Sequence, residues 1–314
     1  MTGNIGFIGL GAMGYHMAGH LRRKMPSEDT LYVTDVNKAA TRRFLEEMGT
    51  KHGPVKVVKT AKEAATDAKV VISIVPRAEN VKQVYLGPNG VIEAPPDPDR
   101  LLLECSTIDT KTTREVEAKL REASIGRYFD APVSGGVIGA ERGTLSFLIG
   151  NTPSESDPIN QRILGIVSKM GLKERITFCG PIGTGTAAKI ANNSIASATI
   201  LAVSEAMAAG IRAGIDKKIL YECIRTSTGQ SWVLENNQPC PGLVPHTPSS
   251  NGYKVSFLPS MLVKDTTLAV EAALQVGIRP TMVQAALETY KKTAEDPRCK
   301  VSGTYPLSPW EFVG

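Results

Sequence analysis

Residues 4–10 form a short, mainly apolar run that stops at glycine, as strands buried on both faces of a parallel sheet do. A helix is expected from about residue 12 to 24, then a β-branched run over 31–36. Strands are expected again at 55–58, 70–75, 101–105, 127–131 and 145–149, with helices at 38–48, 61–68, 110–123 and 159–170. Repeated strand–helix–strand units imply a mostly parallel, doubly wound sheet. The pattern changes after 176–180. Residues 181–185 are a breaker-rich turn, and 186–209 contain neither Gly nor Pro and are dominated by Ala, Ile and Leu. That stretch predicts one long, largely buried helix. Further helices are expected at 217–226, 262–275 and 281–294, with a Pro- and Asn-rich loop over 236–251 and no strand after Cys179. The boundary is therefore expected near Gly180, with residues 1–180 as a sheet domain and 181–314 as an all-helical domain for substrate and oligomer contacts.

Composition narrows the class. The 314 residues suffice for two cores, and 42% hydrophobic with 21% charged residues is an ordinary globular balance. The apolar stretch over 195–209 is interrupted by Ser197, Ser204 and Glu205, so no membrane span is expected. The net charge of +5 is mild and scattered, which suits anionic small molecules and argues against nucleic acid. Five dispersed cysteines without a CxxC pair read as reduced thiols. No secretory or Arg-rich leader precedes the first strand, so the chain reads as cytoplasmic, or as a mitochondrial-matrix form whose presequence has been removed.

A glycine motif lies where the first strand meets the first helix. Gly9, Leu10, Gly11, Ala12, Met13 and Gly14 give GxGxxG in the strand–turn–helix context of a Rossmann dinucleotide site. The first glycine permits the turn, the second admits a pyrophosphate, and the third lets helix pack on strand, while the helix N-terminus favours the anion. Asp35 stands 21 positions beyond Gly14, where a carboxylate binds ribose hydroxyls and repels a 2′-phosphate. NAD is favoured over NADP, with Lys38 the one residue that keeps NADP open. His16 and His20 share a helix face but have no third ligand nearby, so no metal is expected.

Two further groups carry candidate chemistry. After the strand ending near Ala131, Ser134 offers a hydroxyl, and Gly135 and Gly136 leave backbone N–H groups open to an anion such as a carboxylate. A plain turn fits the same residues. Lys189 and Asn193, four apart, share one face of the long helix. That face either is solvated at the domain junction or meets a cleft, where Lys189 would exchange a proton with a substrate hydroxyl. Such a role needs a lysine pKa brought from about 10.4 toward about 7–8, by desolvation and a nearby positive charge.

Four segments in order resemble the β-hydroxyacid dehydrogenases, most closely the members that oxidise 3-hydroxyisobutyrate: residues 6–14, 130–145, 180–193 and Lys264 with Asp265 before a helix. The region from Ser231 to Phe257 is similar as well, so the likeness covers almost the whole chain. The resemblance implies Lys189 as the catalytic residue, with Ser134, Gly135, Gly136 and Asn193 around a substrate carboxylate. It implies Val75, Pro76, Asn80, Thr107 and Lys264 near the dinucleotide. Trp232 and Phe257 are expected to shape the pocket, with core packing as the competing account. Departures are Asn151 after Gly150, Arg77 after Pro76, and a first crossover lengthened over 24–30. The implied activity is hydride transfer between NAD and a small 3-hydroxy acid at an interdomain cleft, converting 3-hydroxyisobutyrate to methylmalonate semialdehyde as in valine catabolism, in a homodimer or homotetramer. A tartronate or succinic semialdehyde reductase is the alternative, and a non-catalytic dinucleotide module the more distant one.

Overall fold

The computed structural model describes residues 3–49, 51–252 and 258–297. The chain divides into two compact units, Met1–Lys189 and Ile190–Gly314.

The first unit alternates strand and helix: β1 (Ile5–Ile8), α1 (Gly14–Lys24), β2 (Leu31–Thr34), α2 (Lys38–Met48), β3 (Val55–Val57), α3 (Ala61–Thr66), β4 (Val70–Ser73), α4 (Ala78–Leu86), β5 (Leu101–Glu104), α5 (Thr110–Glu122) and β6 (Arg127–Asp130). The strands form one parallel sheet in the order β3-β2-β1-β4-β5-β6, the doubly wound arrangement that the pattern predicts. β1, β2, β4 and β5 are buried along their whole length because helices cover both faces. One face packs Phe7, Leu21, Val33, Phe44 and Ile72; the other packs Ile8, Val71, Val81, Leu102 and Val116.

The single doubly wound sheet expected from the pattern is incomplete as a description. β7 (Val133–Ser134), α6 (Gly136–Arg142), β8 (Leu145–Ile149), α7 (Pro158–Val167) and β9 (Gly171–Phe178) build a separate three-stranded sheet, β7-β8-β9. β7 runs antiparallel to β8, so the chain after β6 reverses instead of crossing over again. The Gly150 N–H donates to the Asp130 carbonyl at 2.8 Å, which lays the end of β8 beside the end of β6.

Two buried arginines close loops of this unit. The guanidinium of Arg22 donates to the Pro26 carbonyl at 2.6 Å and also to the Asp29 carbonyl, and so fixes the lengthened first crossover. Arg100 donates to the Ala68, Ile125 and Pro95 carbonyls.

α8 (Thr184–Arg212) runs from the first unit into the second, followed by α9 (Lys217–Arg225), α10 (Trp232–Asn236), α11 (Pro259–Gln275) and α12 (Thr281–Glu295). Within the second unit Ile190, Val270, Val283 and Leu287 pack together, and the Tyr290 hydroxyl donates to the Ser197 carbonyl at 2.6 Å. α8 is not largely buried, contrary to expectation: a third of its most apolar window is buried, and Ile195 is 71% exposed. Apolar and small polar residues are spread around the whole helix, so its composition selects no inner face. By length and composition it is also long and apolar enough to span a bilayer, a property that core helices share.

Candidate active site

The crevice of a doubly wound sheet opens where the strand order reverses, here between β1 and β4. Gly9 follows β1 at that point with φ of 99°, and a Cβ there would lie 2.1 Å from the Ile74 carbonyl oxygen after β4. A Cβ on Gly14 would lie 2.0 Å from the Gly9 carbonyl oxygen, so the turn closes tightly on the start of α1. Nothing lies within 4 Å of a Cβ placed on Gly11, whose outer side is open. One carboxylate organises this turn: Asp35 accepts from the Leu10 N–H and the Asn37 N–H, both at 2.6 Å. An open glycine, a bare helix N-terminus without acidic residues in its first turn and an adjacent carboxylate fit a dinucleotide. Ala12 and Met13 complete the turn, and the Lys38 ammonium donates to the Asp35 carbonyl at 3.0 Å.

Val75 and Pro76 follow β4 at the same sheet edge, with Asn80 exposed in α4 and Thr107 just after β5. The Val75 N–H donates to Ser106 Oγ at 2.7 Å, and the Ser106 N–H donates to Glu104 Oε1 at 2.7 Å. Glu104 is buried and also accepts from the Ser73 hydroxyl, which in turn meets the Tyr85 hydroxyl at 2.7 Å. Desolvation pushes its carboxyl up to about 7, against the lowering effect of these hydrogen bonds. Sequence reasoning passed over Glu104, although an acid at the end of an apolar strand is a visible anomaly.

Ser134 ends β7, and Gly135 and Gly136 follow with φ of 129° and 63°, a turn open to backbone N–H donation. Lys189 is buried, only 8% exposed, and lies in the second turn of α8. That burial answers one question left open by the spacing: the lysine is not on a solvated face. Asn193 falls in the second unit, where its Nδ2 donates to Asp265 Oδ2 at 3.0 Å, and Asp265 Oδ1 lies 2.8 Å from the Lys264 ammonium. Asp265, named in the motif but given no role, thus joins two predicted site residues. Trp232 is 64% exposed at the start of α10, which removes core packing as its explanation. Phe257 lies outside the described residues.

His20 Nε2 bonds the Glu141 carbonyl oxygen at 2.8 Å and so links α1 to α6. Among the described residues no group of His, Cys, Asp or Glu side chains is arranged for a metal.

Comparison with known proteins is consistent along the whole chain. Residues 4–180 match the NAD-binding domain of 6-phosphogluconate dehydrogenase, and residues 183–299 match the NAD-binding family of NADP-dependent 3-hydroxyisobutyrate dehydrogenase. A probable mitochondrial 3-hydroxyisobutyrate dehydrogenase of Dictyostelium discoideum is 38% identical over 273 residues, 87% of this chain and 80% of the relative. An NAD-dependent L-serine dehydrogenase of Pseudomonas aeruginosa is 34% identical and 91% of each chain is covered. The solved 3-hydroxyisobutyrate dehydrogenase of Mycobacterium tuberculosis with L-serine superposes with a TM-score of 0.82 at 31% identity, covering 100% of this chain and 98% of that one.

Proposed function

We propose a function from one premise: this chain belongs to the β-hydroxyacid dehydrogenase family. It is an NAD-dependent oxidoreductase acting on the CH–OH group of a small 3-hydroxy acid, with 3-hydroxyisobutyrate the leading substrate. The observation that carries the reading is a buried lysine in the same unit as the glycine turn and the Ser134–Gly136 turn.

Bound NAD supplies the hydride acceptor. The backbone of Gly9 to Gly14 and the N-terminus of α1 hold the pyrophosphate, and Asp35 holds the adenosine ribose. Val75, Pro76, Asn80, Thr107 and Lys264 are the remaining dinucleotide residues in this reading. Ser134, Gly135, Gly136 and Asn193 take the substrate carboxylate, with Trp232 and Phe257 against the rest of the acid. Lys189 Nζ accepts the hydroxyl proton during oxidation and returns it during reduction. Residues 1–180 serve the cofactor, and 181–314 serve substrate contacts and assembly as a homodimer or homotetramer. Relatives named mitochondrial and a bacterial relative support the matrix and the cytoplasm respectively as its compartment.

L-Serine is the second reading, favoured by the Pseudomonas relative and by the ligand named with the Mycobacterium structure. NADH formation across a panel of 3-hydroxy acids, including both compounds, separates the two. In the same assay Lys189→Ala is expected to lower kcat by about 10²–10⁴-fold with NAD affinity unchanged. A variant with near-wild-type kcat would remove Lys189 as the proton carrier.

A further inference from the structure

We propose that Asp130 is a positioning residue for the proton-transfer step, locking the first turn of α8, and with it Lys189, to the strand end that leads into the Ser134–Gly136 turn. The proposal rests on the reading of Lys189 as the proton carrier.

The first N–H groups of a helix lack partners within it and are normally met by a side chain just before the helix. α8 does otherwise. The residue before it, Gly183, has no side chain, and the hydroxyl of Thr184, its first residue, donates to the Pro181 carbonyl at 2.7 Å. The Asp130 carboxylate, from 53 and 56 residues earlier, accepts the Gly183 N–H through Oδ1 at 2.8 Å and the Thr186 N–H through Oδ2 at 2.7 Å. This carboxylate is 1% exposed, and its burial is matched by two charge-assisted hydrogen bonds at the positive end of a 29-residue helix.

Its position depends on two residues without side chains. A Cβ on Gly150 would lie 1.9 Å from Asp130 Oδ1, and one on Gly185 would lie 3.0 Å from Oδ2 and 2.3 Å from the Leu148 carbonyl oxygen. The absence of a side chain at both glycines therefore leaves room for the carboxylate against the start of α8.

Asp130 is connected along the chain to both chemical groups. Lys189 is three residues beyond Thr186 on the same helix face, and both are buried. On the other side the chain reaches Ser134 four residues after Asp130, through Ala131 and Val133, which are 0% and 6% exposed. The Ala131 N–H is further held by the Glu104 carbonyl at 2.7 Å. Lysine and carboxylate turn thus share one rigid anchor, and a displacement of about 1 Å between reacting groups is enough to cost about 10²-fold in rate.

The test uses Asp130→Asn, Lys189→Ala and the double variant, each assayed for NADH formation with the best 3-hydroxy acid, for NAD affinity by fluorescence titration, and for thermal stability. In Asp130→Asn the carboxamide turns a donor toward one of the two N–H groups. Its kcat is expected to fall about 10–100-fold, with the NAD Kd changed less than twofold. In the Lys189→Ala background the same substitution is expected to lower kcat less than twofold further, because it acts through the lysine. A merely structural carboxylate would lower the melting temperature while leaving kcat per folded enzyme in place, or would lower kcat equally in both backgrounds; either result overturns the proposal. Failure of the underlying reading is visible separately, as Lys189→Ala with near-wild-type kcat. If Asp130→Asn does not fold, Gly150→Ala, whose Cβ is aimed at Oδ1, replaces it with the same expected loss and the same non-additivity.

Discussion

Glu104→Gln is expected to stabilise the protein above neutral pH and to leave its stability unchanged in acid. The carboxyl lies 1% exposed at the end of β5, and desolvation raises it from 4.5 to about 7, with the nearby charge of Asp130 adding in the same direction. Between those two values the folded state holds a proton that the unfolded chain has released. The slope of unfolding free energy with pH is therefore negative: the contribution is fully present below pH 4.5 and lost by about pH 7. At about 1.4 kcal/mol per pH unit, the gap from 4.5 to about 7 amounts to about 3 kcal/mol. Glutamine mimics the protonated acid, with its oxygen accepting the Ser106 N–H and its amide donating to Ser73 Oγ. It removes the titration without emptying the network that runs to Tyr85. Melting curves of wild type and variant at pH 5, 6, 7 and 8 check this. The difference in Tm should widen by several degrees over that range, at about 2–4 °C per kcal/mol for a chain of this size. A difference that stays constant from pH 5 to 8 would mean that Glu104 does not titrate in the folded state over that range.

Two more substitutions test the frame around the site. Arg22→Leu leaves the Pro26 and Asp29 carbonyls without their donor and should destabilise by about 1–3 kcal/mol, read by urea unfolding, with faster proteolysis of the loop between α1 and β2. Gly14→Ala forces a Cβ to within 2.0 Å of the Gly9 carbonyl oxygen and 2.8 Å of the Ile74 side chain. It should weaken NAD binding at least about tenfold by calorimetric titration, since the turn must open to admit the methyl group.

Much of the first unit was legible because its local signals agree with its tertiary outcome. The apolar runs at β1, β4 and β5 are short, end in turn residues and are separated by helical stretches, and a sheet buried on both faces asks for little more. The glycines between β1 and α1 were readable for the same reason, since their spacing encodes steric needs within six residues. α4 and α6 escaped notice: α6 is seven residues long with a glycine inside it, too short for a period to register. β7 escaped too, because a two-residue strand carries no alternation. Its antiparallel pairing with β8 is what turns the chain away from the main sheet.

Local patterns along the chain were enough for the glycine turn, the alternating unit that carries it, the helical character of the second half and the short list of polar residues available for chemistry. Those are properties of neighbouring residues, fixed by sterics and periodicity over a few turns or one strand. Long-range folding is what buries Lys189, makes Asp130 cap a helix more than fifty residues away, raises the Glu104 carboxyl to about 7 and lets Asp265 tie Asn193 to Lys264. Burial and long-range hydrogen bonds depend on which distant segments the fold brings together, and a carboxylate's sequence neighbours say nothing about what will surround it.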